Sequence, residues 1–177
     1  MIGIGGTMGA MSASPAFRVA VSALALSAIG AATIAVHEGY RSRAYADVAG
    51  VHTVGFGTTR RDDGSAVQPG DTTTPVRAVV RLAHDAARIE RHIKDCLPAD
   101  LELYPHEWDA FISLAYNIGG TAFCASTLAR KLREVPPDYE GACDEILRWT
   151  RAAGRELDGL KRRRAAEHEL CRTGRTP

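Results

Sequence analysis

Two carboxylates and a hydroxyl lie close together in the first third of the chain. Glu38 is followed nine positions later by Asp47, and Thr53 comes six positions after that. Two acids in different surroundings suit glycoside hydrolysis, because one protonates the leaving oxygen while the other acts on the opposite face of the sugar. The spacing by itself is more typical of a surface glutamate and a turn aspartate.

Other hydrolytic chemistries lack their residue patterns. His37-Glu38 begins like a zinc-protease helix, but Arg41 stands where that pattern needs its second histidine. No other stretch has metal-ligand spacing, and no G-x-S-x-G segment marks a nucleophilic serine. The glycines in 55–57 lack the third glycine and the lysine of a phosphate loop. We therefore expect no metal and no cofactor.

The stretch before Glu38 predicts the helix that carries it. Residues 19–36 are eighteen uncharged residues, just enough to consider a membrane span. Only seven are Val, Leu or Ile, which together favour insertion by about 2 to 4 kcal/mol. A weak anchor that later leaves the membrane fits this composition best. A cleavable signal peptide, a permanent anchor and a buried helix of a cytoplasmic protein are the alternatives.

The residues after Glu38 predict a helix end and a hairpin. Gly39 is a typical residue just beyond a helix, which places Glu38 in the last turn, where the helix dipole disfavours a carboxylate. Residues 45–47 and 51–56 then predict two strands joined by a turn at 48–50. Such a hairpin would bring Asp47 and Thr53 close together.

The rest of the chain is patterned for helices. Thr74 is the expected cap of a helix that begins at Pro75 and ends near residue 95. We predict further helices from Pro105 to the glycine pair at 119–120, from about residue 126, over 138–150 and over 160–171. The apolar stripe expected on the first of these helices consists of Val76, Val79, Val80, Ala83, Ala87 and Ile93. The fold class predicted is α+β.

The charge is unevenly distributed. The net charge is +1, yet residues 148–177 carry nine Lys or Arg and only four acids. A basic end favours contact with a polyanion, although a solvated helix face is the commoner explanation. Because the basic helix predicted over 160–171 lacks the interleaved aromatic residues expected for base stacking, we predict no nucleic-acid partner.

Four cysteines are present, and none has the C-x-x-C spacing of a zinc ribbon. An even count fits two disulfides in an oxidising compartment. We favour Cys96–Cys124 and Cys143–Cys171, because each pair would join neighbouring predicted helices. Four buried thiols are the alternative.

Several short motifs follow one another along the chain. They are EGYR at 38–41, AYAD at 44–47, GVHTVGFG at 50–57, AYNIG at 115–119, Phe123 with STL at 126–128, RW at 148–149, and GL at 159–160 with Arg162, Arg163 and Glu167. In content and order they resemble the motifs of the phage-type lysozymes, the endolysins that lyse infected bacteria. The resemblance covers about residues 34–172.

The resemblance implies a lysozyme-like fold with a small antiparallel sheet lobe and a mainly helical lobe. It also implies a muramidase that cleaves the β-1,4 bond between N-acetylmuramic acid and N-acetylglucosamine of peptidoglycan glycan strands, with inversion. By motif position Glu38 is the general acid and Asp47 the second carboxylate, while Thr53 helps to hold the attacking water. The positions expected to line the sugar groove are Gly57, Tyr116 and Ser126.

The N-terminus resembles the signal-anchor-release segment of one branch of this family. This implies an apolar helical anchor over residues 1–36, with the inner membrane as partner through 19–36, and a catalytic domain over 37–177. The enzyme would be tethered and inactive until a holin triggers its release into the periplasm, where the segment refolds and delivers Glu38. We expect a monomer. A non-catalytic, membrane-tethered peptidoglycan-binding module is the alternative function.

Overall fold

The computed structural model describes residues 17–47 and 50–175. The first sixteen residues of the predicted anchor and positions 48 and 49 of the predicted turn lie outside the described residues. The elements are β1 Val19–Ala20, α1 Ala28–Glu38, β2 Arg41–Ala46, β3 His52–Gly55, α2 Pro75–Cys96, β4 Glu102–Leu103, α3 Pro105–Ile118, α4 Gly120–Cys124, α5 Thr127–Leu132, α6 Tyr139–Glu145, β5 Arg151–Ala152, β6 Arg155–Glu156 and α7 Asp158–Thr173. Two short 3-10 turns, Val21–Ala23 and Ile146–Arg148, complete them.

The apolar stretch over residues 19–36 does not form the single helix that we expected. β1 pairs antiparallel with β4, and a 3-10 turn follows before α1 begins at Ala28. The helix begins there because the Ser27 hydroxyl accepts a hydrogen bond from the Gly30 amide. Within residues 17–47 and 50–175 no helix combines the length and the apolar character that crossing a membrane requires. The division into an anchor over 1–36 and a domain over 37–177 stays a prediction.

β2 and β3 form the predicted hairpin. Tyr45 pairs with Thr53 and Ala46 with His52, with an irregularity between Arg41 and Tyr45. Asp47 lies one residue beyond β2, where its amide donates to the Val51 carbonyl at 2.9 Å. Since side chains alternate along a strand, this register puts Asp47 and Thr53 on the same face of the hairpin.

α2 has the predicted beginning but a different buried face. The Thr74 side chain caps it and Pro75 is its first residue, as predicted. The three valines of the predicted stripe, Val76, Val79 and Val80, are exposed. The buried residues are Ala78, Leu82, Ala86, Ile89 and Ile93. These five residues keep the 3-4 spacing of a single helix face, a spacing already present in the sequence, and the three valines lie off that face.

α3 is the central helix of the helical lobe. It packs against α1, α2 and α7, and Trp108, Phe111 and Ile112 are fully buried in the core around it. It ends at Gly119, which has the positive φ of 89° that favours glycine at such a position. α6 ends earlier than predicted, at Glu145, because the chain tightens into the second 3-10 turn.

Two disulfides join neighbouring helices. Cys96 at the end of α2 is bonded to Cys124 at the end of α4, with their Cα atoms 5.9 Å apart. Cys143 in α6 is bonded to Cys171 in α7, with a Cα separation of 5.8 Å. These are the two pairs that the sequence favoured.

Gly30 is required by the packing of α1. A Cβ atom at this position would lie 2.6 Å from the Asp109 carboxyl and 2.7 Å from Leu26 Cδ1. We expect Gly30→Ala to destabilise the protein by about 1–3 kcal/mol, because overpacking outweighs the better helix propensity of alanine. Thermal unfolding monitored by circular dichroism measures the change.

Gly159 provides the matched control, since it lies in the first turn of α7 with open space around it. Gly159→Ala should stabilise the protein slightly, by up to about 1 kcal/mol. A stable Gly30→Ala variant would contradict the packing described here.

Candidate active site

Glu38 is the last residue of α1, and both of its carboxylate oxygens have close neighbours. Oε1 accepts a hydrogen bond from Arg163 Nη1 at 2.7 Å. Oε2 lies against Gly57, where a Cβ atom would be only 2.8 Å away. The Glu38 side chain is 16% exposed, so it is largely sheltered but still reaches solvent.

Arg163 belongs to a buried network of charges on α7. Its Nε donates to Glu167 Oε1 at 2.9 Å, and its Nη2 donates to the Ser113 carbonyl at 3.2 Å. The Ser113 hydroxyl also donates to Glu167 Oε1, at 2.7 Å. Arg164 Nε lies 2.9 Å from Glu167 Oε2. With Glu38, the network therefore contains two cations and two anions and is electrically balanced.

Burial lowers the pKa of one arginine in this network. Arg164 is fully buried, and this burial lowers its pKa to about 10, although the negative charge of Glu167 acts in the opposite direction. Arg164 Nη2 also donates to Asn117 Oδ1 at 3.1 Å. The interpretation of the basic C-terminal helix as a solvated face is thus wrong for Arg163 and Arg164, which are structural cations of the core.

Asp47 and Thr53 are positioned by the hairpin. Asp47 Oδ1 accepts a hydrogen bond from the Val51 amide at 2.8 Å, which fixes the carboxylate at the end of the strand pair. Thr53 is buried, and its hydroxyl donates to the Val51 carbonyl at 3.1 Å. The Thr53 oxygen can still accept a hydrogen bond, because a hydroxyl has two lone pairs and one proton.

Tyr45 connects the two carboxylates electrostatically. Burial raises the pKa of this phenol, and the negative charge of Glu38 raises it further, as does that of Asp47. A negative charge disfavours ionisation of a neighbouring phenol only at short range. The two predicted catalytic carboxylates therefore both favour the neutral form of the Tyr45 phenol.

A groove of about 780 Å³ is lined by Gly57, Tyr116 and residues of α2, α3 and α4, whereas Glu38, Asp47 and Thr53 are not among its wall residues. Gly57 is in its wall, so the residue that touches Glu38 Oε2 also borders the groove. Tyr116 is another wall residue, and its hydroxyl donates to the Phe56 carbonyl at 3.0 Å. Burial raises the pKa of Tyr116, and the charges of Asp85 and Glu38 raise it further, so it stays a neutral donor.

Ser126 has a local role in the structure. Its hydroxyl donates to the Phe123 carbonyl at 2.6 Å and accepts from the Ala129 amide at 3.1 Å, which caps α5. The neighbouring Ala125 borders the groove. Substrate contact by Ser126, like the catalytic roles of Glu38, Asp47 and Thr53, stays a prediction.

Comparison with known proteins assigns the chain to a family. A sequence profile described as phage lysozyme matches residues 35–167. The chain belongs to the phage lysozyme family. It is 36% identical to a SAR-endolysin of bacteriophage PS34 over 173 residues, which cover 93% of this chain and 99% of that protein.

Solved structures of family members have the same fold. An endolysin from Escherichia coli O157:H7 phage FAHEc1 superposes with a TM-score of 0.76 at 28% identity, covering 91% of this chain and 99% of that one. A P22 lysozyme mutant gives a TM-score of 0.69 at 34% identity, covering 83% of this chain and 97% of that one. The predicted lysozyme-like α+β fold, with small antiparallel sheets and mostly helices, is confirmed.

The sequence did not reveal the roles of Arg163, Glu167 and Ser113. Arg163 and Glu167 lie four positions apart on α7, the spacing of an ion pair on one helix face. That spacing was visible in the sequence, whereas the contact with Glu38, 125 positions away, was not. The positively charged neighbour of Glu38 is therefore brought to it by the fold of this chain.

The contact between Gly57 and Glu38 Oε2 predicts a selective loss of activity. Gly57 has a φ of 82°, so Gly57→Ala should cost about 1–2 kcal/mol of stability. Its methyl group would also displace the Glu38 carboxylate, which should lower the rate of peptidoglycan hydrolysis at least tenfold. A turbidity assay on Gram-negative cell walls measures the rate.

Gly64 is the matched control. Its φ is 83°, but it has open space where a Cβ would be. Gly64→Ala should lose similar stability while retaining the wild-type rate per folded molecule. Equal loss of activity in the two variants would show that the Gly57 contact does not matter to catalysis.

Proposed function

We propose that the protein is an endolysin muramidase that hydrolyses the β-1,4 bond between N-acetylmuramic acid and N-acetylglucosamine, with Glu38 as its general acid. Membership of the phage lysozyme family makes it a peptidoglycan-hydrolysing lysis enzyme. The observation that supports the role of Glu38 is its contact with Gly57 at the border of the groove. A non-catalytic peptidoglycan-binding module is not favoured by these comparisons.

In this mechanism Glu38 gives a proton to the glycosidic oxygen as the bond breaks. The proton must be on Glu38 when substrate is bound, which would remove its negative charge from Arg163. Arg163 nevertheless keeps Glu167 at 2.9 Å and the Ser113 carbonyl at 3.2 Å. With Glu38 protonated, Arg163 and Arg164 share the single anion Glu167, so each guanidinium still has a carboxylate partner although the network then carries a net charge of +1.

Asp47 and Thr53 act on the opposite side of the bond in this proposal. Asp47 accepts a proton from water, and the Thr53 oxygen holds that water by accepting a hydrogen bond from it. An inverting enzyme needs about 6.5–9.5 Å between its carboxyl groups to make room for the water. The hairpin supports this arrangement, since it carries both side chains on one face. The anomeric configuration of the first product, observed by NMR, tests the inversion.

Substitution of the two groups should give different losses. Glu38→Gln retains an oxygen acceptor for Arg163 but no transferable proton, so we expect at least about a hundredfold loss of kcat with normal folding. Thr53→Ala should lose less, about tenfold, because one hydrogen bond to the water is removed. The release of reducing ends from purified peptidoglycan measures both rates. Full activity of Glu38→Gln would remove the acid assignment, and the reverse order of losses would remove the role of Thr53.

The N-terminal segment supports a proposal for control in the same enzyme. Several relatives are described as SAR-endolysins, among them those of phages PS34 and P21. We propose that residues 19–36 tether the enzyme to the inner membrane and later leave it for the periplasm, with a holin as the trigger. In the tethered form α1 would not be available to the domain, so Glu38 would not meet Arg163.

Added hydrophobicity should hold the segment in the membrane. Replacing Ala31 and Ala32 with leucine makes insertion more favourable by roughly 1 kcal/mol. We expect more protein in the membrane fraction and delayed lysis of expressing cells. Fractionation and culture turbidity measure the two effects, with replacement of the same alanines by serine as the opposite control. Lysis on schedule from the soluble fraction would contradict release as the control step.

A further inference from the structure

The beginning of α1 is held by one buried carboxylate. The Ser27 amide donates to Asp109 Oδ1 at 2.9 Å, and the Ser27 hydroxyl donates to Asp109 Oδ2 at 2.5 Å. Asp109 belongs to the central helix α3 and is 4% exposed. Both oxygens of one carboxylate are thus bonded to both donors of one serine.

Ser27 connects Asp109 to the first turn of α1. Its hydroxyl oxygen accepts from the Gly30 amide at 3.0 Å, which is the bond that starts the helix. The Asp109 carboxyl lies so close to Gly30 that a Cβ there would be 2.6 Å away. The first turn of α1 is therefore fixed to α3 both along the helix axis and in rotation about it.

α1 is short enough to transmit a displacement from one end to the other. It has eleven residues, which correspond to a rise of about 16 Å, and Glu38 is its last residue. A helix of this length moves as a rigid body unless it is kinked. A shift or rotation at Ser27 would consequently move the Glu38 carboxylate relative to Arg163 and Gly57.

The residues before Ser27 are held by the same part of the domain. Arg18 Nη2 donates to the buried Glu107 of α3 at 2.9 Å. Lys94 of α2 donates to the Leu24 carbonyl at 2.5 Å. Charged groups of α2 and α3 thus bond to three successive parts of the segment over residues 18–27.

We propose that Asp109 is a positioning residue for Glu38, because it fixes the register of α1 through the Ser27 cap when the N-terminal segment docks on α2 and α3. The proposal rests on the catalytic role of Glu38 proposed above. Burial raises the pKa of Asp109, and the two hydrogen bonds from Ser27 lower it. Docking of the segment therefore favours the ionised form of the Asp109 carboxyl.

A double-mutant cycle on Ser27 and Asp109 tests the proposal in the full-length protein. Ser27→Ala should lower kcat on purified peptidoglycan about three- to thirtyfold, with KM unchanged, because the groove is built from other elements. Asp109→Ala should have a similar effect. The double variant should lose little more than either single one, since both changes remove the same link.

Two further variants separate positioning from general stability. Ser27→Thr retains the hydroxyl and should recover most of kcat. Thr33→Ala is the matched control on the same helix, because within residues 17–47 and 50–175 the Thr33 hydroxyl bonds only to the Ile29 carbonyl of α1 itself. All rates are measured at a temperature at which circular dichroism shows each variant to be folded. Wild-type kcat in Ser27→Ala, or an equal loss in Thr33→Ala, would overturn the proposal.

Hydrogen exchange supplies a readout that does not depend on activity. In Asp109→Ala, which retains the Ser27 cap, and in Ser27→Ala, the amides of α1 should exchange at least tenfold faster, while those of α5 stay protected. Unchanged exchange in α1 would overturn the proposal even if activity fell. If the wild-type protein did not hydrolyse peptidoglycan, the proposed function would fail, yet the exchange experiment would still decide whether Asp109 fixes α1.

Discussion

The ion pair between Glu38 and Arg163 connects the two ends of the chain, and the arrangement of the site depends on it. A carboxylate in the last turn of a helix is opposed by the helix dipole, so Glu38 needs a positive neighbour. Arg163 supplies it from α7, and Glu167 balances the charge of Arg163 within the core. The site is therefore built only when α1 and α7 both pack against α3.

The same constraint explains why α1 is held so firmly at its other end. A short helix delivers its last residue accurately only if its first turn is fixed. Asp109 fixes that turn through Ser27, with Gly30 leaving the space that the carboxyl occupies. An apolar composition rich in small residues, which makes the stretch a poor membrane span, thus also lets it pack closely against a polar group of the domain.

The local predictions that were confirmed depend on neighbouring residues. Thr74 and Pro75 begin α2, Gly119 ends α3, and alternation predicts the hairpin that carries Thr53. Two predictions were wrong for different reasons. The valines of α2 suggest an apolar stripe, but the 3-4-spaced face that contains Leu82 is the buried one, and the sequence already carried that spacing. In the sequence Arg163 and Arg164 look like solvated residues of a basic helix. They are buried because the fold pairs them with the carboxylates of Glu167 and Glu38.

The sequence alone determined the catalytic candidates, the start of α2, the end of α3 and the resemblance to the phage-type lysozymes, because these are carried by residue types at short spacing. The tertiary structure alone decided which atoms surround Glu38 and what holds its helix. Gly57, Arg163 and the Asp109–Ser27 link come from separate elements. Burial is the physical reason. It makes an unpaired charge costly, and so it selects one set of partners from the many that the sequence would allow.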